Sequence, residues 1–175
     1  MLDYILNLLR SYATKRGNKF LIKDRVKGNE GEVYLIRYIL FKCKWFGLYL
    51  HEFVKSDDEV HHNHPWAFST VILKGEYIEE ISEIVSNKFP LFRLKRSARL
   101  VKAGQFVHRK ASHIHRILLT HEDSPKPITL SIMWHKTQEW GFFVPTEKLG
   151  IYKFVHWKQF LGLNENQPNK TTSME

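Results

Sequence analysis

A chain of 175 residues, 43% hydrophobic and 14% aromatic, can bury one substantial core and is short for two ordinary domains. Its single cysteine, Cys43, excludes an intrachain disulfide framework and a cysteine-built zinc cage, and fits a cytoplasmic setting. The formal charge of +9 raises nucleic acid as a partner, but no helix-turn-helix, zinc-finger or RNP-type pattern accompanies it, so that class is disfavoured.

Residues 1–17 carry Leu2, Ile5, Leu6 and Leu9 at helical spacing, Lys15 and Arg16 in the last turn, and Gly17 placed to cap it. The pattern predicts a short amphipathic helix. Asp3 stands where a leader would be basic, and Asn7 and Arg10 interrupt the apolar run, which argues against a signal peptide. The polar face is too weakly basic for a membrane-surface helix, and no stretch is long and apolar enough to span a bilayer. The helix is expected to pack on the domain or on the partner subunit of a homodimer.

From 18 to 163 the pattern changes to short runs rich in β-branched and aromatic residues, at 32–41, 45–54, 66–73, 76–85, 91–94, 99–102, 113–119, 128–135 and 141–144. Gly47, Gly75, Asn87 with Pro90, Gly104, the stretch 122–127 and Pro145 punctuate them. Many short strands with no helix alternating between them predict an all-β antiparallel sandwich or barrel. Cys43 falls in one of the apolar runs and is read as a buried or edge-strand thiol. Between 88 and 110 there are eight cations and no acid, among them Arg93, Lys95, Arg96 and Arg99. On paired strands these would form either an anion-binding surface or a solvated basic face. Residues 155–163 predict one short helix ended by Gly162, and 164–175 a polar, disordered tail. There is no internal repeat.

The chemistry concentrates in VHHNHPWAF, residues 60–68. On a strand, side chains two apart share a face, so His62 and His64 project together while His61 and Asn63 face the other way, His61 toward solvent. A second pair at the same spacing, His113 and His115, lies on another predicted strand. Two imidazoles on one strand are half of a metal site, and a second strand can complete it.

These residues resemble the two motifs of the cupin superfamily. With His62 and His64 on the first, G-x5-H-x-H-x3-4-E-x6-G, Gly75 falls on its final glycine. With His115 on the histidine of the second, G-x5-P-x-G-x2-H-x3-N, Gly104 falls on its first glycine. With His113 there instead, neither glycine matches. The departures are Ser56 and Phe68 for the opening glycine and the glutamate of the first motif, and Lys110, Ser112 and Leu119 for the proline, second glycine and asparagine of the second. A wider string, including His115 with Arg116, EWGFFVP at 139–145 and a final VHWKQFL, is similar to small cupin-like proteins of bacteria and phages that are largely without assigned activity.

The resemblance implies a cupin-type jelly-roll barrel over 18–163 with short helices at its ends. It further implies that His62, His64 and His115 bind a divalent transition metal, Fe, Zn, Ni, Mn or Cu. Without the glutamate, the set is closer to the three-histidine sites of thiol dioxygenases, and it leaves positions open for substrate and dioxygen or for an activated water. His113 is read as a fourth ligand, an outer base, or a hydrogen-bonded barrel histidine. His51, Trp66 and Phe68 are assigned to the pocket wall, with ordinary core as the alternative, which also covers Trp134, Trp140, Phe142 and Phe143. Asp57, Asp58 and Glu59 offer a replacement carboxylate or form a solvated acidic turn, and Pro65 is expected to end the pairing edge of the strand or to mark a bulge. The expected function is metal-dependent enzymology on a small molecule, of dioxygenase, isomerase or hydrolase type. Against it stand a non-catalytic ligand-binding barrel and a basic structural or nucleic-acid-associated protein.

Overall fold

The structure, a computed structural model, describes residues 1–23, 31–57, 60–120 and 124–162. Asp58, Glu59 and the tail 164–175 lie outside the described residues. The first element, α1 (Leu2–Lys15), closes on Gly17 in the left-handed region at φ 72°, a conformation glycine adopts without strain. The helix docks along a Leu6–Leu9–Ala13 line on Tyr38, Leu50 and Ile128. Leu2 and Ile5 fall to the side of that line and stay exposed, as do Tyr4, Leu8 and Tyr12. Arg10 pairs with Glu52, and Lys74 with Asp3 at 2.8 Å, so the polar flanks are fixed too. No described helix is long and apolar enough to cross a membrane.

Twelve strands follow among the described residues. A six-stranded sheet has the order β1 (Lys19–Lys23), β2 (Val33–Lys42), β3 (Phe46–Phe53), β10 (Ile128–Trp134), β5 (Phe68–Lys74) and β8 (Phe106–Arg109). The other six close into a ring: β11 (Gly141–Pro145), β12 (Ile151–His156), β7 (Leu91–Lys102), β6 (Glu76–Lys88), β9 (Ile114–Leu119) and β4 (His61–His62). Every pairing is antiparallel. A four-residue helix, α2 (Trp157–Phe160), follows β12, its first turn capped by the His156 ring.

The all-β expectation holds, and the differences have local causes. Runs 91–94 and 99–102 are one strand, because β7 pairs along its whole length with β6 and sets Lys95 opposite Glu83. Strands β1, β8 and β12 are too short or too polar to stand out by alternation. The helix expected over 155–163 begins only at Trp157, since Val155 and His156 are taken up by β12 pairing with β11.

One core, Leu35, Phe53, Ile72, Tyr77, Val101 and Ile117, lies between the sheet and the ring. Strand alternation then puts Arg37, Tyr49, His51, Phe68, Thr70, Thr129 and Ser131 on the same inward face of the sheet. A separate cluster of Leu94, Ile114, Phe143 and Tyr152 fills the ring. Gly75 and Gly104 turn the chain at φ 71° and 87°, and a side chain at Gly75 would strike the backbone of 125–127.

Because Leu6 is fully enclosed between α1 and the sheet, Leu6→Ala is expected to lower unfolding stability by about 2–5 kcal/mol. Chemical denaturation measures it; a loss below about 0.5 kcal/mol would mean that α1 is not part of the folded unit.

Candidate metal centre

His62 and His115 are direct cross-strand partners on β4 and β9. Regular pairing of β4 stops at His62, so His64 is not delivered by strand alternation. Instead Asn63 accepts the Gly141 N–H at 2.9 Å, the His64 N–H reaches the Ala111 carbonyl at 3.1 Å, and the Gln138 amide donates to both the His64 and Ala111 carbonyls. This bend turns His64 back onto the other two rings. The ring centres form a near-equilateral triangle: His62–His64 5.0 Å, His64–His115 5.1 Å, His62–His115 5.4 Å. One ligand-capable nitrogen from each lies within 4.8 Å of the others, and His64 Nε2 stands 2.8 Å from His115 Nε2. Donors on a common metal at about 2.0–2.1 Å are separated by about 3 Å, so this donor set fits one ion.

The second nitrogen of His115 is also placed. Nδ1 lies 2.7 Å from Glu79 Oε1, which fixes the proton on Nδ1 and turns the Nε2 lone pair toward His64 and His62. Burial is the main cause that lowers the pKa of all three imidazoles, that of His115 to about 3. They are therefore neutral near pH 7, the form that binds metal.

Glu79 is wholly enclosed. Burial alone would raise its pKa, but hydrogen bonds from His113, His115 and Arg109 overcome this and hold the carboxyl far below the carboxylate range. Oε1 takes Arg109 Nε at 2.5 Å, His113 Nε2 at 3.1 Å and His115; Oε2 takes Arg99 at 2.7–2.8 Å. Glu79, His113 and His115 also bring three donors together. An ion there would have to displace two arginines from a buried carboxylate, so this second cluster is better read as the outer layer of the first. His113 accordingly sits on the carboxylate rather than in the triad.

The other expected residues divide. Phe68 lies against His64 at 4.7 Å and His115 at 6.1 Å, with the Arg109 guanidinium 5.3 Å from its ring. His51 is buried on the inward face of the sheet, but it contacts Arg37 and Tyr49. Trp66 stands in the bend before β5, its indole N–H buried without a partner among the described residues. Asp57 accepts the Ile117 N–H at 2.8 Å and so braces β9. Of the basic quartet, Arg93 and Lys95 are exposed, Arg96 lies over Tyr152, and Arg99 is bound to Glu79. The sequence reading missed Glu79, because both faces of β6 carry a glutamate and an isoleucine.

His61 corrects an expectation. It does face away from His62, but that face is the interior of the ring, not solvent: His61 is 1% exposed. Its Nδ1 meets Ser82 Oγ at 2.6 Å and its Nε2 faces Glu80 at 3.3 Å, pinning β4 to β6.

No protein-family model matches the chain, and no curated protein does. Among solved structures it is similar to a conserved Streptococcus pyogenes protein of unknown function, at 15% identity over 59% of this chain and 76% of that one, TM-score 0.41. Hydroxypropylphosphonic acid epoxidase from S. wedmorenis matches at 11% identity over 67% and 56%, TM-score 0.46. An oxalate oxidase in complex with the substrate analogue glycolate matches at 15% over 55% and 45%, TM-score 0.42. No argument is carried by likenesses at these TM-scores; the antiparallel barrel and its glycine corners at 75 and 104 are this chain's own. The fold is an antiparallel β-barrel. This barrel holds a histidine and glutamate cluster whose donors are arranged as a metal site requires.

Protonation gives a test of the cluster in metal-free protein. His51 and His61 are depressed by burial, His61 to about 4, and His115 to about 3. Above the ordinary value of 6.5 both folded and unfolded chains are neutral, so these groups contribute nothing. Below it the unfolded chain takes protons that the folded chain refuses, and stability falls by up to ~1.4 kcal/mol per pH unit per group until the folded pKa is reached. Thermal unfolding of chelator-treated protein is therefore expected to move steadily down from pH 7 to pH 5. An unchanged midpoint over that interval would show that the histidines are not enclosed as described.

Proposed function

We propose that His62, His64 and His115 hold one divalent transition metal and that the chain is a metal-dependent enzyme for a small molecule admitted between sheet and ring. The observation that carries this reading is the double commitment of His115, with Nδ1 on a fully buried carboxylate and Nε2 within 2.8 Å of His64 Nε2. An imidazole with no ligand role needs neither the carboxylate that orients it nor a second imidazole nitrogen at its other edge. Iron, zinc, nickel and manganese all accept such a donor set. When bound, the ion supplies Lewis acidity or a seat for dioxygen, which covers oxygenase, isomerase and hydrolase chemistry.

The chain's own residues set the conditions. Three neutral imidazoles contribute no negative charge, and Phe68 puts a ring where the family motif places a carboxylate, so the charge of the ion is left for the substrate to balance. Phe142, 5.8 Å from His62 and stacked on Phe160 at 4.0 Å, adds an apolar flank. Glu79 holds the proton on His115 Nδ1 and keeps that ring from turning.

Tag-free protein is expected to carry about one transition-metal ion per chain by elemental analysis. His62→Ala with His64→Ala and His115→Ala should abolish it, and His113→Ala should retain it. Glu79→Gln should weaken metal affinity about 10- to 100-fold in the folded protein. Full metal content in the triple variant would exclude the triad as the site.

A further inference from the structure

The inward face of the six-stranded sheet carries polar residues that the metal centre does not use. Across the ladder Arg37, His51 and Thr129 form one row, and Tyr49, Ser131 and Thr70 the next. Thr70 and Ser131 bond to each other at 3.0 Å. Arg37 has no comparable partner. Its Nε donates to His51 Nε2 at 3.0 Å, and its guanidinium lies 5.5 Å from the Tyr49 ring centre. His51, kept neutral by burial and by Arg37 itself, accepts a hydrogen bond and cancels no charge. Among the described residues no carboxylate faces Arg37, whereas Arg109, the other guanidinium of that face, is matched by Glu79. In the same row as His51, the Thr129 hydroxyl is buried with no hydrogen-bond partner among the described residues.

Arg37 is half-buried, and a guanidinium withdrawn from water even in part without a counter-charge carries an unrepaid desolvation penalty. With Nε bound to His51, its two terminal nitrogens remain as a fork for a planar anion. The same wall continues toward the histidines. Gly47 has no side chain, and the Tyr49 ring folds into the space one would occupy. Gly47 pairs with Met133, and Met133 with Phe68, whose ring touches His64.

We propose that Arg37, backed by His51 and flanked by Tyr49, anchors a carboxylate of the substrate, whose other end reacts at the histidine centre. The second half of that statement rests on the metal reading; the anchor does not. One unmatched guanidinium with neutral neighbours balances a single negative charge, which selects a carboxylate over a phosphate dianion.

Chelator-treated, full-length protein is titrated with benzoate, glycolate, inorganic phosphate and the neutral analogue benzamide, following thermal midpoint and calorimetric binding. Benzoate or glycolate should stabilise the protein and benzamide should not. Arg37→Gln should weaken carboxylate binding about 10- to 100-fold, and Arg37→Lys, which keeps the charge and loses the fork, about 10-fold. Should Arg37→Gln not fold, the Lys variant decides alone. The variant with all three metal histidines replaced should bind carboxylate as wild type does, so a failed metal site leaves this result standing. Carboxylate binding unaltered in both Arg37 variants, no carboxylate binding at all, or tighter binding of phosphate would each overturn the assignment.

Discussion

The carboxylate of Glu79 is the interaction on which the rest depends. A carboxylate moved out of water costs several kcal/mol unless it is matched, and this one is matched from three directions. Arg99 reaches it from β7, His113 and His115 from the start of β9, and Arg109 from β8. Arg109 belongs to the six-stranded sheet while Glu79 belongs to the ring, so the ion pair ties the two halves across the interior. Arg109 also donates to the Tyr77 hydroxyl at 3.0 Å, and Tyr77 belongs to the core between the halves. One buried charge therefore couples barrel closure to the orientation of His115, and the fold cannot relax there without disturbing the centre.

The histidine cluster was partly legible because its candidate ligands announce themselves by type and spacing, and the groups behind them do not. His62, His64 and His115 could be named from two His-x-His pairs and from glycines 75 and 104, whose positive φ values show why those letters are needed. Glu79 was hidden because β6 reads EYIEEISEI, where both faces carry a glutamate and an isoleucine, so alternation alone does not say which carboxylate turns inward. Register decides it: Glu79 lies opposite Ile117, inside, and Glu80 opposite Arg116, with which it pairs at 2.5 Å. His61 was misjudged for a related reason. The two-face logic of a flat sheet assigns the second face to solvent, and in a sheet closed on itself that face is a second interior.

The same distinction explains the cations. Counting Lys and Arg along 88–110 suggested one basic surface, but β7 has two faces with different surroundings. Arg96 lies over Tyr152, on the side of Leu94 and the ring core, and Arg99 ends on Glu79. Arg37, half-buried on the inward face of the sheet with no acid facing it among the described residues, lies in the run VYLIRYILF, where a single arginine among apolar residues resembles an ordinary edge-strand cation. A linear count cannot separate the two cases, because charge density matters less than whether the opposite strand brings an acid.

Phe68 and Glu79 are best understood together. In the motif that this sequence resembles, the position of Phe68 carries a carboxylate; here Arg109 lies over the Phe68 ring while its Nε holds Glu79. A carboxylate at 68 would compete for the same guanidinium and draw it off Glu79, leaving the buried acid with fewer partners and His115 less firmly turned. An aromatic ring accepts the cation on its face without competing for its N–H groups. The arrangement keeps negative charge away from the three rings and concentrates it behind His115, where it orients the imidazole. The charged groups beside the histidines are thus Arg109 and Glu79, matched to each other, and the negative charge lies behind His115 rather than among the three rings.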